Sequence, residues 1–158
     1  MDAAGFKEVY ETMQKNIEEI KTTSNRLDKY SPEDQIKLCE KIKYLFYGLA
    51  KTLVDIGNKI IVENDYRQPL NNADVFISLA EHDIINSNLV PGIKKAVLII
   101  PKVMQSNTQE VFSIIKESME SICKCLDSFA VYYDLKDKGL YLENIFFNCN
   151  LYFRFSNR

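Results

Sequence analysis

The chain has 158 residues, 46% of them hydrophobic and 27% charged, with a net charge of −2. A single domain of that length buries roughly 70% of its unfolded surface, enough for a core without disulfide or metal staples. Twenty Lys and Arg against 22 Asp and Glu leave no basic field, which argues against broad electrostatic binding of nucleic acid, and five Gly with four Pro suit long helices better than a loop-rich all-β chain.

The first segment, from about Phe6 to Leu27, places Phe6, Val9, Met13, Ile17 and Ile20 at steps of three and four, one stripe of an amphipathic helix. Ser31-Pro32-Glu33-Asp34 then reads as a helix start. Ser31 caps free amides, Pro32 fits the first helical position, and two acids favour the positive end of the dipole. Leu38, Ile42, Leu45, Leu49, Leu53, Ile56 and Ile60 continue the helical spacing, so one helix is expected from Pro32 to about Glu63. Asn64 to Pro69 is a connector, because the residue before a proline is pushed out of helical dihedrals.

A short helix is expected over Asn72 to Glu81, burying Val75, Phe76 and Leu79. The next carries Leu89, Ile93, Ala96, Val97, Ile100 and Val103, and Pro101 forces it to kink or end nearby. Thr108 is placed to cap a last long helix striped by Val111, Ile115, Met119, Ile122, Leu126, Phe129 and Tyr133. These elements predict an all-α fold: an antiparallel bundle of four long helices with one additional short helix over residues 1–138. Residues 139–158 form an aromatic C-terminal extension that reads equally as helix or strand and is expected to pack on the bundle or on a partner.

The first ten residues show no signal peptide, and the longest aliphatic run, Ala96 to Ile100, is far too short to span a bilayer. A cytoplasmic chain with reduced thiols is the expectation. Cys123 and Cys125 form C-x-C with no His nearby, so a zinc site is not expected and the thiols read as buried on a helix. Phosphate-cradling glycine loops and nucleophile elbows are absent. His82 is the only histidine, which removes His-rich metal sites; flanked by Glu81 and Asp83 near a helix end, it reads as an exposed cation. No cofactor and no metal is expected. Gly57, between Asp55 and Asn58, asks for either close approach of another helix or room for a ligand.

The segment Leu53-Val-Asp55-Ile-Gly57-Asn58-Lys-Ile-Ile61, then Arg67-Gln-Pro69, then Val75-Phe76-Ile-Ser-Leu79-Ala-Glu81-His-Asp-Ile84-Ile85 resembles the HepT-like branch of the HEPN superfamily. These are the helical toxin partners of minimal nucleotidyltransferases. The resemblance covers about Ile36 to Tyr133 and implies a helical bundle that pairs into a symmetric dimer. In active members an Arg-x4–6-His pattern cleaves RNA, arginine binding phosphate and histidine moving protons. Here that alignment puts Ile100 at the arginine, Pro101 at the following asparagine and Gln105 at the histidine. Residues 75 to 78 hold no arginine either, so the motif is absent in any register, and no tyrosine follows Gln105 before Tyr132.

Two functions compete on this reading. One is a catalytically silent HEPN/HepT-like protein working by association: a homodimer with a minimal nucleotidyltransferase as partner, and RNA or a nucleotide as a further ligand. The other is a ribonuclease with a rearranged site built from Asp55, Asn58, Lys102 and Gln105, the groove matching the family's active site. Lys102 reads as a phosphate ligand or as a solvated helix-end lysine, and Gln105 cannot titrate near neutral pH. A generic helical adaptor outside the family is the third reading.

Overall fold

The structure, a computed structural model, describes residues 1–133. The expected extension over 139–158 lies outside them, as does the expected boundary at 138. The described residues are all-α, without a strand: α1 Ala3–Asn25, α2 Pro32–Glu63, α3 Asp74–Glu81, α4 Val90–Leu98, α5 Ile100–Gln105 and α6 Thr108–Tyr132.

Each long helix starts where its sequence supplies a cap. Asp2 accepts from the Gly5 amide at 2.8 Å, and Ser31 accepts from the Asp34 amide at 3.2 Å with Pro32 in the first turn. The cap of α6 is Asn107, whose side chain accepts from the Glu110 amide at 3.1 Å, and not Thr108, which is the first helical residue. In the turn before α3 the Asn71 side chain accepts from the Ala73 and Asp74 amides at 3.0 Å, and the helix begins two residues later than expected, with Ala73 at its cap position.

The third of the four expected long helices is two shorter ones. α4 ends at Leu98, Ile99 is a turn, and α5 resumes at Ile100 with Pro101 in its first turn. There the missing proline N–H removes no hydrogen bond that a helix start would have made.

Side-chain contacts fix the directions of the helices. The Met1 amino group pairs with Glu63 and Lys41 with Glu19, so α1 and α2 are antiparallel. Asn64 Nδ2 donates to the Tyr132 hydroxyl at 2.8 Å, and Phe6 stacks on Tyr133 with centroids 4.4 Å apart; both the end of α2 and the start of α1 therefore meet the end of α6. Lys95 bonds Glu117 at 3.1 Å, and Gly92 lies against Ser121, so α4 runs against α6. Along the chain α1, α2, α4 and α6 thus alternate in direction. The core between them takes Phe6, Met13, Ile17 and Ile20 from α1, and Ile42, Phe46, Leu49, Leu53 and Ile60 from α2. From α6 it takes the whole expected stripe from Val111 to Tyr133.

Candidate functional site

The four residues of the rearranged site come from two helices that pack on one another. Asp55 and Asn58 belong to α2, Lys102 and Gln105 to α5. Asp55 is exposed and accepts from Lys51 Nζ at 2.7 Å, holding that ammonium above its ordinary pKa chiefly through the hydrogen bond. Asn58 is half-buried, and Lys102 and Gln105 are exposed. α5 leads into the start of α6, whose far end meets the far end of α2.

What the fold assembles lies at the junction of α2, the connector and α3. Both helices end in the same motif. After α2, the Tyr66 amide donates to Ile61 O at 2.9 Å and the Asp65 amide to Val62 O at 3.3 Å. After α3, Ile84 donates to Leu79 O at 3.0 Å and Asp83 to Ala80 O at 3.2 Å. This pairing turns the chain through one left-handed residue. Asp65 at φ 55° and Asp83 at φ 57° fill those positions, where glycine is usual. The first turn brings Tyr66 onto His82: the rings stack at 3.6 Å with 6° between their planes. The exposed histidine read from the sequence is exposed, with one face covered by a tyrosine.

Arg67 follows directly. Its guanidinium grips Asp74 with two bonds, Nη1 to Oδ2 at 2.8 Å and Nη2 to Oδ1 at 3.2 Å, and its Nε donates to Glu81 at 3.5 Å. The Leu70 amide donates to Asp74 at 2.7 Å, and the Ser78 hydroxyl to Arg67 O at 3.0 Å. Asp74 is buried, and its carboxyl falls from an ordinary 3.8 to about 2, first through the Arg67 hydrogen bonds and then the Leu70 amide, against the opposing effect of burial.

This arrangement sets an arginine beside the neighbour of the sole histidine, a proximity that linear order did not suggest. The signal was present: Arg67 is the only Lys or Arg between Lys59 and Lys94, and Asp74 directly precedes the buried pair Val75-Phe76. Yet the arginine fork is committed. Releasing it to a phosphate would strand a buried carboxylate, which is strongly unfavourable.

Cys39, Cys123 and Cys125 are buried, and burial pushes the Cys125 thiol up, away from thiolate chemistry. No group of three or more His, Cys, Asp or Glu able to hold a metal ion occurs among the described residues. No described helix is long and apolar enough to cross a membrane. Compared with known proteins, the chain matches no family model, no curated protein and no solved structure.

Proposed function

We propose that this protein is a HepT-like helical module that works by association and does not cut RNA. On this reading it pairs with itself, engages a minimal nucleotidyltransferase in the cytoplasm, and takes RNA or a nucleotide only as a bound ligand. The observation that carries the reading is the state of Arg67. The Arg67 guanidinium, next in the chain to the tyrosine that stacks on the histidine, is spent on Asp74 and Glu81. His82 in turn stacks on Tyr66. Phosphodiester cleavage needs a proton-moving group worth about 10²–10⁴-fold, together with a cation free to hold the phosphate.

Incubation of the full chain with mixed RNA, beside Lys102→Ala and His82→Ala, tests this. The expected result is no cleavage by any of the three. Turnover by the unaltered chain that vanishes in either variant overturns the proposal and restores the ribonuclease reading. Co-purification with a minimal nucleotidyltransferase tests the partner in the same preparation.

A further inference from the structure

The outward side of α2 is unusual for a helix whose opposite side fills the core. Ile36, Tyr44 and Tyr47 stand on it with 60%, 64% and 43% of their surface exposed, beside Glu40 and Lys51. The series Ile36, Glu40, Tyr44, Tyr47, Lys51 advances by four, four, three and four. Those steps make a single seam along a helix, of the kind that packs lengthwise on another helix. Gly48 sits at the centre beside the two tyrosines. Glycine weakens a helix interior, and Gly57 and Gly92 each face a neighbouring element that would collide with a Cβ. Gly48 does not: a Cβ there meets nothing within 4 Å. Nothing among the described residues accounts for it.

The seam also matches itself. Tyr44 and Tyr47 share a midpoint between residues 45 and 46, and Glu40 and Lys51 share the same one. A two-fold axis there lays two α2 helices antiparallel. Each Tyr44 then meets Tyr47 of the partner subunit, and each Glu40 meets Lys51 of the partner subunit. The overlap runs along most of α2, about 40 Å. Glu40 already accepts from the buried Lys43 at 2.8 Å, and its half-exposed carboxylate has lone pairs left for a second ammonium, just as Lys51 has three donors to serve both Asp55 and the new carboxylate. Glycine at position 48 lets the partner's tyrosine ring come down onto the backbone.

We infer that the Ile36–Lys51 face of α2 is the homodimer interface, with a second copy of this chain as occupant and the Glu40–Lys51 pairs setting its register. This rests on the association reading and specifies the surface through which self-association runs.

Sedimentation of the full chain over micromolar concentrations, with circular dichroism as a check on folding, is the test. The unaltered chain is expected to sediment as a dimer. Glu40→Lys alone and Lys51→Glu alone should each weaken dimerisation about ten-fold or more, by setting like charges opposite one another, and combining the two exchanges should restore it. Gly48→Ala should keep the fold, since a Cβ there meets nothing within 4 Å, and still weaken the dimer. A dimer indifferent to all of these uses another face, which overturns the interface while leaving self-association standing. A double exchange no better than the single ones also overturns it. A monomer at every concentration overturns both the interface and the association reading.

Discussion

Gly57 shows how much one residue decides. A Cβ there would lie 2.5 Å from Val75 Cγ1 and 3.0 Å from Leu79 Cδ1, so α2 and α3 touch only because the side chain is missing. Of the two reasons a glycine at this position could have had, close approach of a helix is the one realised. Gly57→Ala should therefore lower stability by about 1–2 kcal/mol in urea unfolding, because overpacking outweighs the ~1 kcal/mol gained in helix propensity. Unchanged stability would mean that α3 shifts freely. Two positions along a helix turn a side chain by about 200°, so Asp55 looks into solvent while Gly57 faces α3.

Among the elements, α3 depends most on its connector. Eight residues make a helix too short to persist alone. It is held by the buried Val75, Phe76 and Leu79 on one side and by the Arg67–Asp74 clasp on the other. Asp74 has a lowered folded-state pKa, so its contribution is complete above the ordinary value of 3.8 and fades as pH falls through that value toward about 2. Unfolding followed from pH 5 downward should show a loss of stability in that window that Asp74→Asn and Arg67→Ala both reduce. Acid unfolding identical in the two variants and the unaltered chain would deny the clasp its role. The clasp was hard to see in advance because its partners are seven residues apart across a non-helical connector, where no periodicity constrains which side chains meet.

At the level of the whole molecule, the helical class and most helix limits were legible because apolar spacing and capping residues act locally. Ile42, Leu49, Leu53, Ile56 and Ile60 are buried as their stripe required. Contacts between helices were less legible, since the stripes say which side is buried and not against what. Phe129 illustrates this: it is fully buried, and its ring reaches to within 3.9 Å of the Gly57 Cβ position, joining α6 to α2 where α3 crosses. Phe129→Ala should remove about 3–5 kcal/mol, a large share of the 5–15 kcal/mol that holds a domain of this size; a loss under 1 kcal/mol would show that the three helices do not share one joint. The Tyr66–His82 stack has a practical consequence of its own. With a single imidazole in the chain, proton magnetic resonance carries one set of histidine ring signals, and a stacked phenol ring whose centroid lies 3.6 Å away shields those protons. Their chemical shift is a native label for whether the loop between α2 and α3 is seated, readable without introducing a probe.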